Sequence, residues 1–116
     1  MPVRGQIYSP KKNYPPGSPQ WHRLLVLSPS GLMSSGGSSL FVMTAVIRSH
    51  HSGVRLVPGH SIPVPAGLVA ALPLASVVET HQLFALPVSE LAGRPDGQLP
   101  RDLVEAALAG ARRLFT

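Results

Sequence analysis

The chain has no cysteine, which excludes disulfides, thiol nucleophiles and cysteine-ligated zinc together. It has no acidic side chain before Glu79. It has no uninterrupted apolar run of about 18 residues, the length a membrane-spanning helix needs. Met1-Pro2-Val3-Arg4-Gly5 lacks the apolar stretch of a signal peptide, so a cytoplasmic protein with no membrane partner is the expectation. Thirteen prolines and eleven glycines among 116 residues favour short segments joined by turns over long helices. A chain of this length fits one domain with one core, spanning residues 1–116, and it contains neither an internal repeat nor a dividing linker.

What charge there is lies unevenly. Residues 1–78 hold Arg4, Lys11, Lys12, Arg23, Arg48 and Arg55 against no acid. All five acids, Glu79, Glu90, Asp96, Asp102 and Glu105, follow, together with Arg94, Arg101, Arg112 and Arg113. The front is +6 and the back −1, giving the net +5. Such a front suits a polyanion, RNA above all.

The apolar pattern is that of strands. Gly5–Tyr8 reads as a first strand, stopped by Pro10, and residues 10–20 (PKKNYPPGSPQ) are a loop that cannot complete a ladder. Leu24-Leu25-Val26-Leu27 is a continuous apolar run, as in a strand buried on both faces. Residues 34–39 (SSGGSS) form a flexible turn before Leu40–Ile47 (LFVMTAVI), the strongest strand signal in the chain. Val54–Val57 alternates and reads as another strand. The prolines of residues 58–73 predict a meander with a brief edge strand near Ile62–Val64. Residues 76–86 hold two short strands or one bent one, and Ser89–Gly93 is helical for a turn at most. One long helix is predicted over residues 100–115, with Pro100 in its first turn and Asp102, Glu105, Arg112 and Arg113 complementing its dipole. Its stripe of Val104, Leu108, Ala111 and Phe115 would pack on a sheet. Strands first and one helix last, without βαβ alternation, predict a curled antiparallel sheet or small barrel.

Three segments together resemble the MazF/PemK family of bacterial toxins. Arg4-Gly5-Gln6-Ile7-Tyr8 is similar to the family's opening strand. Gly17-Ser18-Pro19-Gln20-Trp21-His22-Arg23, running through Leu24–Leu27 to Ser28-Pro29, is similar to its loop, arginine and apolar strand. Phe41–Arg48 is similar to the strand carrying the family's threonine or serine, and Ser76–Val78 with Gln82 and Ser89–Leu91 forms a fourth, looser match. The chain departs from the family pattern at Pro19, Leu24, His81-Gln82 and Phe84, and residues 58–72 are longer and richer in proline. The resemblance implies an SH3-like, CcdB-type barrel with a C-terminal helix. It implies a toxin of a toxin–antitoxin pair, a metal-independent endoribonuclease that cleaves single-stranded messenger RNA by attack of the 2′-hydroxyl. The implied partners are RNA, an acidic antitoxin and a second copy of the chain; no cofactor is implied. Two alternatives remain: a gyrase-binding toxin of the CcdB type, and a catalytically inactive module that binds RNA or antitoxin.

Such cleavage needs a base for the 2′-hydroxyl, a donor for the leaving oxygen and a cation on the phosphorane. Arg23, between the loop and a buried strand, is the candidate cation, because a planar guanidinium binds phosphate through two hydrogen bonds. Thr44 interrupts an apolar strand, so its hydroxyl must find a partner or face a cleft; the resemblance makes it the second catalytic residue. Lys11, Lys12, Tyr14 and Trp21 place cations and aromatics in one loop, a combination that suits single-stranded RNA. Gln20, His22 and Gln82 are candidate supports, with His22 able to move protons near neutral pH. The five histidines show no HxH or HExxH spacing, and no metal site is expected.

Overall fold

The computed structural model describes residues 2–29, 32–33 and 40–116. The flexible turn expected at residues 34–39 lies outside the described residues. Among the described residues seven antiparallel strands form one sheet: β1 (Gln6–Tyr8), β2 (Arg23–Val26), β3 (Leu32–Met33), β4 (Leu40–Ser49), β5 (Ser61–Val64), β6 (Ser76–Pro87) and β7 (Gly97–Gln98). Their order is β5-β6-β4-β2-β1-β7, with β3 pairing beside them onto the start of β4. One helix, α1 (Arg101–Arg112), follows the last strand and ends in a 3-10 turn over Arg113–Phe115. This is the mainly β, curled architecture with a C-terminal helix that the pattern predicts.

The continuous apolar runs of β2 and β4 arise because both faces of the sheet are covered. On one face Ile7, Leu25, Ala45, Ile47 and Val78 meet Val104, Ala107 and Leu108 of α1. On the other, Leu24, Val26, Val42, Val46 and Leu86 meet Tyr8, Tyr14 and Leu91. Successive residues of one strand thus fill two different cores, and each full burial of a Leu, Ile or Val side chain is worth about 1.5–3 kcal/mol. Pro63 sits in β5, the outermost strand, where its missing N–H breaks no interior ladder.

The curl comes from β6. Ala45 of β4 pairs with Leu83, but the next residue, Val46, pairs with Glu79. Thr80, His81 and Gln82 are therefore left over on β6 and bend it. Thr80 secures the bend by donating from both its N–H (2.9 Å) and its hydroxyl (2.7 Å) to the His60 carbonyl. Helix α1 lies against this point through Gly110, where an added Cβ would stand 2.3 Å from Thr80 Oγ1. The close approach requires glycine although glycine costs helix stability.

Two predicted elements change. Val54–Val57 is not a strand. Its residues are half-buried at most, so the alternation has no core to face. The Val57 N–H bonds to Ser61 Oγ and the Val57 carbonyl accepts from His60 and Ser61, closing a turn instead of a ladder. The helix starts at Arg101 behind Pro100, which caps it in extended conformation, and its apolar stripe buries only as far as Leu108; Phe115 is 81% exposed.

Candidate functional site

The cleft lies where β2 begins and β4 ends. In the β2–β4 ladder Arg23 pairs with Ile47, which brings the loop before β2 beside Arg48 and Ser49. Two adjoining cavities open there, of about 190 Å³ and about 450 Å³. Trp21, His22, Arg48 and Ser49 border both. Arg23 and residues 71–74 complete the smaller, and Gln20 and His51 the larger.

The electrostatics are specific. Burial, and then the positive charge of Arg48, hold the His22 pKa below the ordinary imidazole value. His22 is therefore neutral over more of the physiological range and able to accept a proton. The Arg23 guanidinium lies over the Trp21 ring, 5.1 Å from its centroid, and its Nε donates to Asp96 at 3.3 Å. Asp96 also accepts from the Ser9 hydroxyl. The pair engages Nε, so the terminal nitrogens of Arg23 are not taken up by Asp96. The Trp21 indole donates to the Pro10 carbonyl at 3.3 Å, folding the proline-rich loop against the strand that follows it. Among the described residues Arg48 makes no ion pair.

Of the residues singled out from sequence, Gln20, Trp21, His22 and Arg23 come together here. Thr44 does not. It is fully buried, and its hydroxyl donates to the Phe84 carbonyl at 2.9 Å. It pairs with Val26 and so lies on the opposite face of the ladder from Arg23, among the apolar side chains around Val42 and Val46. Its hydroxyl needed a partner and found one within the sheet, not in the cleft. Gln82 stands in the bend of β6 and borders neither cavity. Lys12 pairs with Glu90 at 3.1 Å, and Lys11 donates its N–H to the Glu90 carbonyl. Tyr14 is buried and donates its hydroxyl to Glu90; burial first, and then that bond, raise its pKa to about 12. That bond and Lys12 in turn hold the Glu90 carboxyl below its usual range. Tyr14 thus anchors the loop and offers no stacking surface.

Arg48 and Ser49 went unnoticed in the sequence. Only the Arg23–Ile47 register marks them, and that register is a tertiary fact. A second polar cluster, away from the cleft, joins buried Glu79 to His81 (3.4 Å) and Ser61 (3.1 Å), with the His60 ring 6.0 Å from that of His81. Among the described residues no group of three or more His, Asp or Glu side chains is arranged to hold a metal ion.

The architecture and cleft define a class: a small curled antiparallel sheet closed on one face by a C-terminal helix, with a cationic opening at the end of its central ladder. A solved structure with a similar fold is that of an endoribonuclease in complex with its cognate antitoxin, from a mycobacterial species. The likeness has a TM-score of 0.61 at 20% sequence identity, over 98% of this chain and 97% of that one. At that identity it establishes a shared fold. No family model matches the sequence, and no curated protein matches it.

Proposed function

We propose that this chain is the toxin of a cytoplasmic toxin–antitoxin pair, an endoribonuclease that cleaves single-stranded messenger RNA without a metal. The observation that carries the reading is a neutral-leaning histidine, His22, its pKa lowered by burial and by the charge of Arg48, in an open cleft that Arg23 also lines. His22 takes the proton of a ribose 2′-hydroxyl, and the 2′-oxygen attacks the adjacent phosphorus. Arg48 and the terminal nitrogens of Arg23 neutralise the crowded phosphorane. The bond to the 5′-oxygen breaks as that oxygen gains a proton, passed from solvent through the exposed Ser49 hydroxyl. A 2′,3′-cyclic phosphate and a 5′-hydroxyl remain.

The partner expected is an acidic antitoxin, and the shared fold with an antitoxin-bound endoribonuclease supports that expectation. An apolar groove bordered by Leu27, Met43, Leu83, Leu108 and Phe115 offers surface for a second copy of the chain. One observation favours a second reading: the exposed Phe115 is the kind of C-terminal aromatic expected of a gyrase-binding toxin. Such a protein would leave RNA intact and inhibit supercoiling.

The test is incubation of the purified chain with a long single-stranded RNA in excess chelator. Cuts with cyclic phosphate ends are expected, abolished by His22→Ala and Arg23→Ala. Intact RNA, or Arg23→Ala cutting like wild type, overturns the assignment.

A further inference from the structure

Asp96 stands apart from the other acids. Among the described residues it is the one acid paired with an arginine of the cleft. It lies immediately before β7, and its own N–H donates to the Ile7 carbonyl at 2.7 Å. Ile7 pairs with Gly97 on one side and with Leu25 of β2 on the other. The backbone that carries Asp96 is therefore fixed to the ladder that also carries Arg23. The hydroxyl of Ser9, just past the end of β1, donates to Asp96 Oδ2, the oxygen that accepts from Arg23 Nε. The Arg23 guanidinium is in turn held in two ways, at its Nε edge by Asp96 and on its face by the Trp21 ring. An in-plane hydrogen bond and a contact on the face together fix the plane of the group, which neither does alone.

The side chains of the pair are 33% and 30% exposed, and ion pairs at that exposure add little to stability. What the pair changes is where Arg23 points. Without it, a long side chain at the start of a strand regains its rotamers and must be ordered again in every turnover. We infer that Asp96 is a positioning residue, which orients Arg23 so that its terminal nitrogens are left for the reacting phosphate. The inference rests on the proposed cleavage reaction and adds to it a residue outside the cleft wall. It carries an opposing effect, because a carboxylate beside the phosphate also repels the RNA. Asp96 thus weakens binding while it speeds the chemical step, a combination that a purely structural ion pair does not produce.

The experiment measures kcat and KM on one single-stranded RNA for wild type, Asp96→Ala and Asp96→Asn. In Asp96→Ala kcat is expected to fall about ten- to hundredfold. KM falls as well, by no more than about fivefold, and the thermal midpoint stays close to that of wild type. Asp96→Asn keeps an acceptor for Arg23 Nε and for Ser9 without the charge, so it recovers most of the lost kcat while retaining the lower KM. Asp96→Ser, polar but too short to reach Arg23, repeats the alanine result and serves if alanine does not fold. Trp21, the chain's single tryptophan, gives a readout that needs no cleavage. Acrylamide quenching of its fluorescence is expected to rise in Asp96→Ala toward the value in Arg23→Ala, as the guanidinium leaves the ring. An unchanged kcat in Asp96→Ala, an Asp96→Asn as slow as Asp96→Ala, or unchanged quenching overturns the inference and leaves the nuclease assignment standing. If wild type cuts no RNA, the assignment itself falls and the inference with it.

Discussion

The two halves of β4 lead different lives. From Phe41 to Ala45 the strand pairs with residues 83–87 and its one polar side chain, Thr44, is sealed and bonded to the Phe84 carbonyl. From Val46 to Ser49 it pairs with residues 76–79, beyond the bend of β6, and its polar side chains Arg48 and Ser49 emerge into the cleft. Under the proposed function, the same strand carries structure at one end and chemistry at the other. A polar residue inside an apolar strand therefore says only that a partner exists; position relative to the sheet's end decides whether that partner is a carbonyl or a substrate.

That contrast can be broken most forcefully at the chemical end. Under the proposed function His22→Ala removes the base and lowers kcat by about 10²–10⁴-fold. Arg48→Ala removes charge stabilisation and costs about 10²–10³-fold. Both are read from single-turnover cleavage, with circular dichroism confirming that the fold is kept. A pH profile sharpens the point. Because burial and Arg48 lower the His22 pKa, kcat/KM rises with pH through a value below the ordinary imidazole one. In Arg48→Gln the repelling charge is gone, His22 is protonated more easily, and the rising limb moves to higher pH. Burial remains, so the return is incomplete. A limb that stays in place would mean His22 is not the group titrating.

At the structural end the expected effects are on stability. Gly110→Ala forces a methyl onto Thr80 at the bend and destabilises by about 1–3 kcal/mol despite alanine's better helix propensity, measured by urea denaturation. Thr44→Val keeps the shape but leaves the Phe84 carbonyl without its donor, costing about 1–2 kcal/mol. Its cleavage rate is expected to match wild type.

Much of the fold was legible in the residues. Leu24–Leu27 read as a strand buried on both faces because two cores do cover it, Leu40–Ile47 read as the strongest strand, and Pro100 marked the helix start. Val54–Val57 misled because alternation describes a side-chain pattern and not the presence of a neighbouring strand. The bend at Thr80–Gln82 left no local signature, since a register shift belongs to the pairing of β4 with β6. The loop and Arg23 were visible through the resemblance and the charge pattern. Arg48 was not, because its nearness to His22 follows only from the β2–β4 register. The acid-free front proved less free than its sequence: Glu90 and Asp96 fold back onto Lys12 and Arg23. What the fold leaves without an ion pair, among the described residues, includes Arg48 at the cleft.

Under the proposed function, catalysis belongs to the Arg48 end of β4 and not to the Thr44 end. Cleavage of one defined RNA by Arg48→Ala and by Thr44→Val, side by side at equal folded concentration, tests it most directly. Loss of activity by about two orders of magnitude or more is expected in Arg48→Ala, and a wild-type rate with a lowered unfolding midpoint in Thr44→Val. An inactive but stably folded Thr44→Val, beside an active Arg48→Ala, would contradict it.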